Sequence, residues 1–439
     1  LGLAYAALGE TRRAAELHEQ ALTNARERGD RRAECGDLVN LGLALVALGE
    51  TRRAVQMYGQ ALAIARELAD RWSESSVLGN LANAYSSLGD MEQVVALHEQ
   101  SLAIARSLGD RSAEGEALGN LGNAHALAGQ ARTALEYYEQ SLVIAREIGG
   151  RRNEATALGN LARAYIDAGE TGLAAELSER RLALAREIDD RRGQIEALKT
   201  LSRALSALGD AAGAVEALHE RLVLARTLGE MAGEAEALVE LGDAHADAGE
   251  PLLSLDFYEQ AVELTRRSGD RARECRALCN LGIVLAGMGD AAKAVESYEA
   301  ALAAARAVGD HECEAAVLGN LGLAHEALGD RPLGIELHKQ QLSLARQIDD
   351  RRNAATALGN LGNAFGEACE PSGALEYYLL ALEEFRRLGD LMNEWITLSN
   401  LSFTSAQLGE NEQAIAYAVL ASEARAKLDA EAVGLDDES

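Results

Sequence analysis

The chain has 439 residues, a formal net charge of −28, 48% hydrophobic residues and only 4% aromatic ones. That apolar content excludes wholesale disorder, and the acidity makes phosphate backbones and anionic membrane surfaces poor partners, so neither nucleic acid nor membrane is expected. No uninterrupted apolar run reaches the roughly eighteen residues that a membrane span needs.

A repeating pattern begins with the first residue. Leucine stands at positions 1, 41, 81 and onward to 401 without insertion or deletion, a second leucine column runs from Leu38 to Leu398, and arginine returns at every step from Arg26 to Arg386. A fixed forty-residue period marks an architecture of stacked repeats. Leu1 lies inside the motif, so the chain reads as an excerpt of a longer protein whose first hairpin lacks its opening. The uncovered apolar end is expected to fray or to associate end to end with a second chain.

Each period holds two amphipathic helical patterns. In the fourth repeat Ala117, Leu118, Leu121, Ala124, His125 and Ala128 recur at helical spacing between Ala113 and Ala128, and Gly129 stops the run. The second helix is expected from about Arg132 to Ile148, burying Ala134, Leu135, Tyr138, Leu142 and Ala145. Pairs such as Gly109-Asp110 supply a left-handed C-cap and the next N-cap. Pro251, Pro332 and Pro371 fall where later second helices should begin, a position that sacrifices no hydrogen bond. Small residues at Gly2, Gly42, Ala82, Gly122, Ala162 and Ser202 should let paired helices approach closely. The last hairpin puts Ser422 and Arg425 in apolar columns, as a polar terminal cap does. The expectation is a single all-α, right-handed superhelical solenoid of eleven hairpins over residues 1–428, with a short acidic tail at 429–439.

No catalytic pattern survives inspection. Gly-Lys never occurs, which removes a Walker loop, and none of the His-Glu pairs at His18, His98, His219, His311 and His325 has a second histidine four residues beyond its first. His18, His98 and His338 share a column with Tyr58, Tyr138 and Tyr258 and read as core residues. The Gly119–Gly122 spacing falls mid-helix and reads as packing. Five cysteines do not make a disulfide framework; Cys275, Cys279 and Cys313 read as small core residues, which points to a reducing cytoplasm. No enzyme activity, cofactor or metal is expected. The arginine column near the helix C-termini complements the dipole and is expected to pair four residues on, as Arg106 with Asp110.

The residues Leu118, Leu121, Gly122, His125, Ala134, Tyr138 and Ser141 resemble the tetratricopeptide repeat signature, and the likeness returns in every period. The period is forty rather than about thirty-four, and arginine stands in place of the usual terminal proline. Strings such as residues 99–125, EQSLAIARSLGDRSAEGEALGNLGNAH, are similar to the long-repeat subgroup of Pins/LGN-type adaptors and to the arrays of bacterial signal-transduction ATPases. Either resemblance implies capture of a peptide or ligand in a concave groove lined by the first helices.

On that face stands a column the apolar core does not explain. Asn40, Asn80, Asn120, Asn160, Asn280, Asn320, Asn360 and Asn400 recur, joined one turn on by Asn83, Asn123 and Asn363. Asparagine is a mediocre helix former, but its amide donates and accepts, so a ladder of amides can pair with a peptide backbone. The alternative is that the amides bond between neighbouring helices. Where the column changes, Arg163, Lys199 and Arg203 form a basic cluster next to Asn160, followed in sequence by Glu236, Glu240, Asp243 and Asp247. The expected partner is a protein or peptide carrying acidic residues, and the expected role is a non-enzymatic scaffold. The other reading is a ligand-sensing, autoinhibitory array within a larger bacterial STAND-type regulator.

Overall fold

The computed structural model of the protein describes Tyr5 and residues 9–434, with side chains through Ala430. Twenty-one helices follow one another among the described residues, and no strand occurs there. They divide into two compact units, Leu1–Arg221 and Leu222–Ser439. The first contains α1 (Thr11–Arg28), α2 (Arg31–Ala47), α3 (Thr51–Glu67), α4 (Arg71–Ser87), α5 (Met91–Leu108), α6 (Arg111–Leu127), α7 (Ala131–Glu147), α8 (Arg151–Asp167), α9 (Thr171–Glu187) and α10 (Arg191–Ala207). The division falls inside α11 (Ala211–Leu228). The second holds α12 (Met231–Asp247), α13 (Pro251–Ser268), α14 (Arg271–Gly287), α15 (Ala291–Val308), α16 (His311–Ala327), α17 (Arg331–Gln347), α18 (Arg351–Glu367), α19 (Pro371–Leu388), α20 (Leu391–Gln407) and α21 (Asn411–Gly434). Gly2 and most of the opening segment lie outside the described residues; of the expected tail, α21 continues through Gly434 and residues 435–439 lie outside as well.

The boundaries follow from the caps. Gly109 adopts φ 67° while its neighbour Asp110 accepts from the Ala113 amide at 3.0 Å, closing α5 and opening α6. Pro251 and Pro371 are first residues of α13 and α19, and Pro332 is the second of α17. At Ala69, Asp189, Asp349 and Cys369 the left-handed turn is made without glycine, at a cost of about 1 kcal/mol each.

Packing within a hairpin is a match of sizes. Tyr138 is buried against Gly122, where an added Cβ would meet the ring at 2.5 Å, and Tyr258, Tyr298 and Tyr378 sit likewise on Gly242, Gly282 and Gly362. Where the glycine is Ala82 or Ala162, the facing residue shrinks to His98 or Ser178. His18, His98 and His338 are buried, as their column implied. Successive helices pack on one another from α1 to α10 in one unit and from α12 to α21 in the other. First helices also touch across repeats: α2 with α4, α6 with α8 and α8 with α10 in the first, α12 with α14, α14 with α16 and α16 with α18 in the second.

Two expectations need correction. The arginine column does not pair four residues on. Arg106 Nε meets Glu114 at 2.9 Å, on the far side of the turn, because Asp110 is engaged as the N-cap. The same eight-residue step joins Arg26–Glu34, Arg66–Glu74, Arg146–Glu154, Arg226–Glu234, Arg266–Glu274, Arg306–Glu314 and Arg386–Glu394. Nor are the three neighbouring cysteines all thiols. Cys275 of α14 and Cys313 of α16 form a disulfide, because adjacent first helices bring these positions face to face. Cys279 is free, and burial pushes its pKa up.

Candidate functional site

Apart from Lys199, which stands one residue before the first of them, the candidate residues occupy two positions one turn apart on the first helices. In the first unit these are Asn80 and Asn83 on α4, Asn120 and Asn123 on α6, Asn160 and Arg163 on α8, and Lys199 and Arg203 on α10. In the second they are Asn280 on α14, Asn320 on α16, Asn360 and Asn363 on α18, and Asn400 on α20.

Three of them converge. Asn120, Asn123 and Asn160 line a hollow of about 260 Å³ between α6, α7 and α8, floored by Ile144 and Ala157. The hollow exists because two facing columns are small here. A Cβ on Gly119 would come no nearer than 3.6 Å to the Ser141 hydroxyl, which itself donates to the Gly115 carbonyl at 2.8 Å. Amide groups above an apolar floor can hold the backbone of an extended segment while its side chain fills the hollow.

Other amides are engaged within the protein. The Tyr138 hydroxyl donates to Asn123 at 2.8 Å, and Tyr378 to Asn363 at 2.8 Å. Asn400 donates to Asn363 at 3.2 Å and Asn280 to Asp243 at 2.9 Å, tying one repeat to the next. Asn320 donates to the Cys279 sulfur at 3.5 Å. Burial is the leading cause that raises the pKa of both Tyr138 and Asp243, so each needs its partner to satisfy a desolvated polar atom. Among the described residues the side chains of Asn80, Asn83, Asn120 and Asn360 make no hydrogen bond, leaving both functions of each amide available.

The basic cluster has its own geometry. Arg163 is exposed and donates to Asn160 at 3.0 Å, Arg203 is exposed with no ion pair among the described residues, and Lys199 is half-buried. The residue that sequence reasoning missed is Arg181. It takes the place of Ser141 one repeat later, and its guanidinium lies over Gly159, where a Cβ would meet it at 2.6 Å. Its Nε is buried and has no acceptor. Burial lowers its pKa first, followed by nearby charges, of which Glu196 and Asp190 raise it and Arg163 lowers it. The signal was present: a column reading Ala61, Ser101, Ser141 turns to arginine opposite a column of glycines.

Tetratricopeptide repeat models match residues 73–147, 114–187, 233–307, 273–333 and 312–387, and a second such model matches 1–32 and 38–71. The chain belongs to the tetratricopeptide repeat family. Arrays of this family mediate protein–protein interactions and are generally non-catalytic scaffolds. No curated protein matches this tetratricopeptide repeat chain in sequence. Among solved structures it is similar to a STAND signal-transduction ATPase with a tetratricopeptide repeat sensor from Pyrococcus horikoshii, at 12% identity and TM-score 0.57 over 82% of this chain and 55% of that one. It is also similar to the apo form of the quorum sensor NprR from B. thuringiensis (15% identity, TM-score 0.51, 77% of this chain and 97% of that one). The apo form of RapI aligns at 15% identity and TM-score 0.50 over 63% and 99%. At these identities the likeness is one of fold. Among the described residues no helix is long and apolar enough to cross a membrane, and no cluster of side chains could hold a metal ion.

Proposed function

We propose that this tetratricopeptide repeat array is a non-enzymatic scaffold that holds an extended or helical protein segment along its row of first helices, as in the long-repeat subgroup that Pins/LGN-type adaptors typify. The observation that carries the reading is the hollow where Asn120, Asn123 and Asn160 meet above Ile144 and Ala157. Asn80 and Asn83 offer free amides before it in the first unit, and Asn120 offers one at the hollow itself. Arg163, Lys199 and Arg203, with Arg181 behind them, call for an acidic residue or a terminal carboxylate on the partner. In the second unit Asn280, Asn320, Asn360, Asn363 and Asn400 continue the same role, some of them also bonding between repeats. The low cysteine content fits a cytoplasmic setting, where thiol reductants would keep the Cys275–Cys313 bond open for most of the time.

The test is to capture partners with the 439-residue chain, identify the bound segment by mass spectrometry, and titrate it against Arg163→Glu/Arg203→Glu. Binding should weaken by roughly 2–5 kcal/mol with thermal stability unchanged. Unaltered affinity, or a large loss of stability instead, overturns the reading. A second reading, a sensor array within a STAND-type regulator, is favoured by the likeness to the Pyrococcus horikoshii ATPase over 82% of this chain. It expects the captured partner to be a nucleotide-binding domain of the same protein.

A further inference from the structure

The ion pairs that lock each second helix to the following first helix carry information at the place where they fail. In five junctions one glutamate is held by two arginines: Arg26 and Arg31 on Glu34, Arg66 and Arg71 on Glu74, Arg106 and Arg111 on Glu114, Arg146 and Arg151 on Glu154, Arg266 and Arg271 on Glu274, with distances of 2.6 to 3.3 Å. The frame is two guanidinium groups aimed at one carboxylate, the arrangement in which charge-assisted hydrogen bonds are strongest. Two junctions keep both arginines and lack the acid. At the fifth, Gln194 replaces it, and Arg186 turns instead to Glu220 at 2.6 and 2.7 Å. At the ninth, Ala354 replaces it, and the position matching Glu220 is Leu380. The Arg346 side chain therefore makes no ion pair or hydrogen bond among the described residues, and the Arg351 side chain pairs only with Asp349, at 3.9 Å.

A hollow of about 250 Å³ opens at this point, lined by Arg346, Arg351, Ala354, Leu358 and Leu380. The corresponding hollow beside Arg106 and Arg111 has the Glu114 side chain in its wall. Acids also line the ninth site, and their engagement matters. Asp350 accepts from the Asn353 amide at 3.0 Å and from its side chain at 2.6 Å. Glu383 and Glu384 are paired with Arg387 at 2.6 and 2.8 Å. Only Asp349 competes for the free arginines, and weakly.

We propose that Arg346 and Arg351 form a binding site for a carboxylate, which enters the place that a glutamate side chain fills at the other junctions. Leu358 and Leu380 receive the aliphatic part of the ligand. The site uses helix positions distinct from those of the amide groove, so it stands or falls independently of the function proposed above.

The experiment follows the arginine Nε–H signals of the full chain in nuclear magnetic resonance, with Arg346→Ala and Arg351→Ala fixing the assignments. Three probes are titrated: N-acetylglutamate α-amide, with a side-chain carboxylate only; N-acetylleucine, with a terminal carboxylate only; and neutral N-acetylleucinamide. A saturable shift of Arg346 with one or both acids and none with the amide is expected, and the tighter acid tells whether a side chain or a chain terminus is the natural source. Ala354→Glu refills the place from within, so it should shift Arg346 without any probe and weaken acid binding about tenfold or more. Equal response of wild type and Ala354→Glu, or acids acting no differently from the amide, overturns the proposal.

Discussion

Repeats four and five are near copies that solve the same packing problem with opposite means. In α6 and α7 an aromatic ring fills the interior, Tyr138 on Gly122, and the next column out is small, so the surface between α6, α7 and α8 is hollow. In α8 and α9 the interior residue is Ser178 on Ala162, and the next column out is Arg181, whose guanidinium lies across Gly159. The tyrosine satisfies its one polar atom on Asn123, whereas Arg181 leaves a buried Nε without an acceptor. A repeat can thus be given a cavity or a buried charge by exchanging residues at two columns while the backbone stays the same. The difference teaches that variation along such an array is concentrated in what fills the space between helices.

The comparison can be broken most strongly by acid. His98 in the third repeat has its pKa pushed down by burial to about 4, below its ordinary 6.5, so the unfolded chain takes up the proton first. Stability is present above about 6.5 and is lost as pH falls toward 4. Glu114, whose carboxyl is held low chiefly by its hydrogen bond to Arg106, loses its contribution below the ordinary carboxylate value of 4.5. The α9–α10 junction has neither group, carrying Ser178 on α9 and Gln194 on α10 in their places. Amide hydrogen exchange between pH 7 and 4 should show α5 and α6 losing up to about 3 kcal/mol, with α9 and α10 nearly unaffected. His98→Gln should flatten the upper part of that profile.

Next in size is the tyrosine seat. Gly122→Ala forces a methyl against the Tyr138 ring and should cost about 2 kcal/mol, while Ala162→Gly in the serine-packed repeat should cost about 1 kcal/mol. Denaturant titration followed by exchange in α6–α9 would rank them, and the reverse order would mean that the ring does not carry repeat four. Smaller again is the charge. Arg181→Met should stabilise by roughly 1–2 kcal/mol, because it removes a desolvated cation and keeps the volume; an unchanged midpoint would mean that Arg181 is already compensated. The smallest effect belongs to the turn. Asp189→Gly relieves the left-handed residue and should raise stability by no more than about 1 kcal/mol, readable in the melting temperature.

Much of this was legible in the sequence because a forty-residue period repeats each signal many times. Helix ends came within two residues in the fourth repeat, since Gly109, Asp110 and Gly129 mark the caps chemically. What escaped were interactions between helices. Spacing within one helix suggested Arg106 with Asp110, yet the geometry of the turn hands Arg106 to Glu114 and leaves Asp110 to cap. Cys275 and Cys313 lie thirty-eight residues apart, a separation that means proximity only once α14 and α16 are known to lie side by side. Arg181 reads as one of two adjacent surface arginines until the glycine opposite it is seen to open a path inward. The asparagine column was visible as a column, but its division between free amides and inter-repeat bonds depends on whether a tyrosine hydroxyl or a following amide reaches it.

The bond between Cys275 and Cys313 also sets a mechanical limit. If the oxidised chain is drawn out from its two ends, the segment between positions 275 and 313 cannot lengthen, however completely its helices come apart. Reduction would release those thirty-eight residues, worth roughly 130 Å of extended contour. The disulfide therefore works as a stored length, and a single-molecule trace would record its opening as one extra step of that size.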